Sequence, residues 1–149
     1  MKKEITIAAT SAIALIILLG SVSYLLFPQV SVQAYTATID VYTQHGGQGK
    51  DKPSGNFTKL ETVHLYAEVK NTSNTPLGAK LVSFEVHWPD NGTGSILILG
   101  TAQTNPSGTA EKSFTIPPST RSIGRWLVYV TTQVDEQIIV DTLTFWCNG

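Results

Sequence analysis

Cysteine is almost absent from this 149-residue chain: Cys147 stands alone. No intramolecular disulfide can therefore form. Methionine is equally scarce, with Met1 the only one. Charge is thin as well: Asp, Glu, Lys and Arg make up 14% of the chain and the formal net charge is −1. No basic patch of the size nucleic-acid binding needs is available, so no nucleic acid is expected as a partner. There is no acidic tail. No internal repeat is visible.

One long apolar run is present. Lys2, Lys3 and Glu4 precede Ile5–Phe27, which carries no charge. As a helix it would reach about 34 Å at ~1.5 Å per residue, enough to cross a hydrocarbon core of about 30 Å. Tyr24 suits the interface and Pro28 stops the helix. No Lys or Arg follows Lys3 until Lys50. The positive-inside rule then leaves the N-terminus in the cytoplasm and the rest outside. The reading is a single-pass anchor over 1–27, a linker over 28–34 and an extracellular domain over 35–149. The competing reading is a signal peptide cleaved after Ala34 at the small-residue site Val32–Ala34, but signal h-regions run only ~7–15 residues.

Beyond the run, period-two alternation dominates. Seven segments place apolar residues on one face: Tyr35–Tyr42, Thr62–Lys70, Lys80–Trp88, Ser95–Thr104, Thr109–Ile116, Arg125–Val134 and Gln137–Trp146. No stretch among them shows a helical period. The expected fold is all-β, a single antiparallel Ig-like sandwich of about seven strands behind one N-terminal transmembrane helix. Trp126 is expected between the sheets with Phe84, Val86 and Leu65. Asn105–Gly108, "NPSG", is four turn-prone residues in a row, with Pro106 fixing φ and Gly108 tolerating φ > 0. It predicts a hairpin between its flanking strands. The first strand is expected at a sheet edge, blunted by Asp40.

Candidate chemistry is sparse. His64 and His87 fall on outward faces and His45 opens a glycine-rich loop, with no ligand spacing between them. A blue-copper site needs a Cys closely followed by His and an axial Met; Cys147 is followed only by Asn148 and Gly149. Gly49-Lys50 is followed by Asp51 and no helix, so the phosphate-loop pattern fails. "DNGTGS" (Asp90–Ser95) has one carboxylate, too few for calcium. No nucleophile–base motif is present. The expectation is no enzyme and no cofactor. Asn56, Asn71 and Asn91 each begin an N-x-[ST] acceptor and are candidate glycosylation sites in expected loops. Cys147 is either a candidate intermolecular thiol or a small half-buried residue at the end of the last strand. The His45–Asn56 loop reads as a mobile surface segment.

Four ordered motifs carry a resemblance: "PLGAKLVSFEV" (Pro76–Val86), "TAQTNPSGTAEKSFTIP" (Thr101–Pro117), "GRWLVYVTTQV" (Gly124–Val134) and "DTLTF" (Asp141–Phe145). Together they resemble the invasin/intimin-type bacterial Ig-like domain and the related macroglobulin-type β-sandwich. The long Thr43–Glu61 loop is similar to that of archaeal surface proteins with this domain. The resemblance implies a non-catalytic binding or structural module outside the membrane, with surface or envelope proteins or glycans as partners. The alternative it leaves open is an accessory domain supporting a partner transporter, protease or sugar-processing enzyme.

Overall fold

A computed structural model of the chain describes residues 36–89 and 96–149. The apolar run Ile5–Phe27, the acceptor Asn91 and the stretch Asp90–Ser95 lie outside them. The described residues belong to one unit, Tyr35–Gly149. Among them no helix is long and apolar enough to cross a membrane.

The unit is all-β. In chain order the strands are β1 (Ala37–Thr43), β2 (Asn56–Thr58), β3 (Thr62–Asn71), β4 (Leu81–His87), β5 (Ile96–Gln103), β6 (Thr109–Thr115), β7 (Gly124–Val134) and β8 (Gln137–Asn148). The seven expected strands are all present, within a residue or two at each end. They form a three-stranded sheet, β1-β3-β6, and a five-stranded sheet, β2-β8-β7-β4-β5. Every pairing is antiparallel except β2 on β8, which is parallel. Relative to a constant-type immunoglobulin arrangement, the fourth long strand, β5, has left the β1 sheet and pairs with β4 instead.

Alternation builds the core. On β3, Val63, Leu65, Ala67 and Val69 turn inward and are fully buried. They face Val82, Phe84 and Val86 of β4 and Trp126, Val128 and Val130 of β7 across one continuous apolar cluster. Trp126 is 0% exposed. Its ring lies 5.4 Å from Trp88, 5.7 Å from Phe114 and 5.7 Å from Phe145. Its burial is as expected, in one cluster with Phe84, Val86 and Leu65. The indole N–H donates to the Ser122 carbonyl at 2.9 Å, so the one polar atom of the ring is satisfied in the core.

The Asn105–Gly108 turn forms, but it does not make a hairpin. Gly108 N–H donates to the Asn105 carbonyl at 2.9 Å, and Asn105 Oδ1 accepts from the N–H groups of Ser107 and Thr109. The flanking strands nonetheless go to opposite sheets. Leu81–Gln103 pairing holds β5 on β4, while Val69 N–H donates to the Gly108 carbonyl at 2.8 Å and draws β6 to β3. The turn is thus a corner between layers. Gly108 has φ +76, and a Cβ there would meet the Val69 carbonyl oxygen at 2.7 Å. Only glycine satisfies both demands.

A second difference lies in His45–Asn56, which is pinned rather than loose. Gly49 N–H donates to Asp40, Ser54 N–H to the Thr144 carbonyl at 2.8 Å, and the segment runs into β2 at Asn56. Phe57 of β2 is buried and packs edge-on against Phe145, 5.0 Å between centroids, while His45 stacks on it at 4.4 Å.

Candidate functional site

A sheet edge exposes half of its backbone groups, and this sandwich has two edges side by side. Among the described residues β1 pairs only with β3. Thr36 O accepts from Thr72 N–H on the β3 side, whereas Val41 N–H and Thr43 N–H bond away from it. By alternation the backbone groups of Ala37 and Ile39 also face away from β3. β8 pairs with β7 from Gln137 to Cys147 but with β2 only at Trp146–Asn148. The Thr144 carbonyl bonds outward to Ser54, so Ile138, Val140 and Thr142 present their backbone groups on that same free edge.

Two side chains stitch these edges together. Gln137 Oε1 accepts from Thr36 N–H at 3.0 Å, and Asp141 Oδ2 accepts from Val41 N–H at 2.8 Å. Between the stitches lies an open cleft of about 610 Å³, walled by Ala37–Asp40 and Ile138–Asp141 and closed at one end by Gly49 and Lys50. That volume is in the range of small-ligand and peptide sites. Ile138 and Val140, 65% and 55% exposed, stand on its rim.

Three charged groups line the cleft: the carboxylates of Asp40 and Asp141, and Lys50, which is exposed at its end. Asp40 receives the Gly49 N–H on both oxygens, at 3.0 and 3.1 Å. Burial pushes its pKa above the ordinary carboxylate value; the Gly49 hydrogen bond opposes this, and the nearby charges of Asp141 and Glu68 add to it. Burial likewise raises the neighbouring Tyr42 phenol, with Glu68 and Asp40 contributing. Asp141 occupies the inward row of β8 with Ile139, Leu143, Phe145 and Cys147. At the opposite flank Lys112 shares the inward row of β6 with Ala110 and Phe114, its stem lying so close over Gly100 that a Cβ there would come within 2.9 Å of Lys112 Cε. Charged residues in inward rows at sheet margins oppose pairing with stray strands.

None of the sequence-derived candidates among the described residues sits in this cleft. Asn56 is exposed, at the start of β2 rather than in a loop. Asn71 ends β3 half-buried, its Oδ1 accepting from Ser73 and Thr75 N–H. Cys147 is 1% exposed in the core, its Sγ donating to the Asn148 carbonyl at 3.5 Å, and burial pushes the thiol pKa up. In the folded sandwich this thiol has almost no exposed surface. Each histidine lies beside a glutamate: His45 by Glu61 at 3.4 Å, His64 by Glu111 at 3.0 Å, and His87 by Glu85. The three pairs are separate, and among the described residues no group of three or more His, Cys, Asp or Glu is placed to hold a metal ion. Asp40 and Asp141 were legible as charges within alternating strands. Asp141 is the one charge in an otherwise apolar row, and that was the signal for it.

No family model matches the chain, and no curated protein matches it. Solved structures do. A single-residue variant of superoxide reductase (neelaredoxin) from Ignicoccus hospitalis superposes with a TM-score of 0.52 at 6% identity, over 80% of this chain and 87% of that one. A second structure of superoxide reductase from the same organism gives 0.49 at 4% identity, over 74% and 80%. The sporulation control protein Spo0M from Bacillus subtilis gives 0.47 at 12%, over 78% and 51%. At 6% identity the likeness to the variant superoxide reductase is one of fold alone.

Proposed function

We propose that the chain is a non-enzymatic binding module of the cell surface, held in the membrane by Ile5–Phe27 with its sandwich outside and its ligand seated in the β1–β8 cleft. The observation that carries this reading is the cleft itself. It is walled by two strand edges and aliphatic side chains, with two carboxylates whose hydrogen-bond donors among the described residues are backbone N–H groups. Such a surface binds; its lining pairs no nucleophile with a base. The uncharged run behind two lysines and the motifs that resemble invasin/intimin-type domains support the location. In the same reading Asn56 and Asn71 are glycan acceptors at the margins of the sandwich, clear of the cleft lining.

The test is photo-crosslinking of the full-length chain in its native membranes from a diazirine side chain at Ile138. A discrete partner, captured from the membrane fraction and lost on competition with the chain lacking the diazirine, is the expected result. A soluble mature protein beginning at Tyr35 would overturn the anchor. Absence of any crosslink from Ile138 or from other surface positions would overturn the binding module.

A further inference from the structure

We propose that the β1–β8 cleft receives an extended peptide segment of another surface protein, which pairs with the free edge of β8 and presents a lysine or arginine side chain to Asp40 and Asp141. This rests on the binding-module reading and gives its partner a chemistry. Among the described residues, the outward backbone groups of Ile138 and Val140 have no neighbouring strand, because β2 covers only Trp146–Asn148. An added strand would satisfy them by continuing the five-stranded sheet, as in recognition by β-augmentation. The stitches at Gln137 and Asp141 bound the free edge, so the paired stretch is short, and the pocketed side chain must supply much of the selectivity.

The charge of the cleft says which side chain that is. One Lys–Glu ion pair and three His–Glu contacts join described residues, and none includes Asp40 or Asp141. Lys70, the cation that acts on Asp40, is itself 2.8 Å from Glu68. The donors from described residues that reach the two carboxylates are Gly49 N–H and Val41 N–H, which leaves lone pairs on both for a cation. An incoming guanidinium or ammonium would make charge-assisted hydrogen bonds to oxygens already partly withdrawn from water. It would also offset the mutual repulsion of the two carboxylates. A glutamate at the same position would add a third carboxylate. Beside the basic residue, β-branched side chains of the peptide would lie next to Ile138 and Val140 on the outer face.

The experiment pans a displayed random heptapeptide library against the full-length chain in lipid nanodiscs, then uses the strongest peptide, synthesised, as the probe. Enriched peptides are expected to carry Lys or Arg flanked by Val, Ile or Thr. Asp40→Asn with Asp141→Asn keeps one acceptor at each site and removes the charge. It should weaken binding about ten- to a hundredfold, the range for hydrogen bonds to charged groups. Val140→Pro removes the outward N–H without touching the β7 ladder and should abolish binding. Should that variant fail to fold, slower amide exchange at Ile138 and Val140 on adding peptide to the unsubstituted chain decides in its place. The proposal is overturned if no peptide is enriched over empty nanodiscs, if acidic peptides win, or if the probe binds the Asn variant undiminished. Self-association of the full-length chain that the probe does not displace, and that masks these amides, would overturn it in favour of a second copy. A membrane partner that crosslinks only from surfaces away from β8 would overturn the cleft assignment and leave the binding module standing.

Discussion

Asp141 on the last strand accepts the backbone N–H of Val41 on the first, at 2.8 Å. A carboxylate thus occupies the ladder position that a neighbouring strand would fill, and the two sheets are tied at their margin by a side chain. The same atom pair limits how far the β1 edge can be extended. The arrangement bears on every expectation about this flank.

Trp126→Ala should destabilise the unit by about 3–5 kcal/mol, the usual cost of truncating a large buried aromatic. The residue is fully buried among Trp88, Phe114 and Phe145, and its N–H has an internal acceptor. Denaturant melts measure the loss; a shift below about 1 kcal/mol would contradict this packing.

Asp40→Asn should raise the melting temperature at neutral pH and have little effect near pH 3. The folded-state pKa of Asp40 is raised, chiefly by burial. The folded protein therefore holds this proton more tightly than the unfolded chain, and ionising it costs stability as pH climbs from the unfolded value towards and past the folded one. Below the unfolded value both states are protonated and the cost vanishes. The difference between variant and parent, scanned with pH, isolates this group from the other carboxylates. A constant difference across the scan would refute the assignment.

Gly108→Ala should cost about 1–3 kcal/mol, since the backbone is left-handed there and the new methyl meets a carbonyl oxygen. Chemical denaturation is the measure. The loss should exceed that of Gly46→Ala, where the left-handed backbone has no neighbour within 4 Å of the added atom.

Cys147 should resist alkylation by iodoacetamide in the folded protein and react freely in urea. It is buried at the end of β8, and burial disfavours its thiolate. Fast labelling under native conditions, or a disulfide-linked dimer on a non-reducing gel, would restore the intermolecular-thiol reading.

Much of the sandwich was legible because alternation reports burial directly. Val63, Leu65, Ala67 and Val69 could face only one way once the strand was recognised. Partner choice was not legible. "NPSG" announces a turn, but whether it joins strands of one sheet or two depends on Val69 and Leu81, residues far away in the chain. β2 escaped because three residues with one apolar side chain make no period, and its pairing is parallel and long-range. The cleft was hidden for the same reason. Asp40 and Asp141 are far apart in the chain, and only the adjacency of the first and last strands brings their charges together.

β2 and β8 run in the same direction, as the register Asn56–Trp146 to Thr58–Asn148 shows. The stitches from Gln137 to Thr36 and from Asp141 to Val41 follow the same sense. Chain entry at Ala37 and chain exit at Asn148 therefore lie towards opposite ends of the sandwich. A force pulling these two ends apart acts along the strands, so the β2–β8 bonds and both stitches are loaded together in shear rather than peeled one at a time. The rate of unfolding under load, which is kinetic rather than thermodynamic, then depends on this seam together with the β1–β3 and β7–β8 ladders. A domain of modest equilibrium stability built this way is a stiff link when pulled lengthwise and a weak one when pulled sideways.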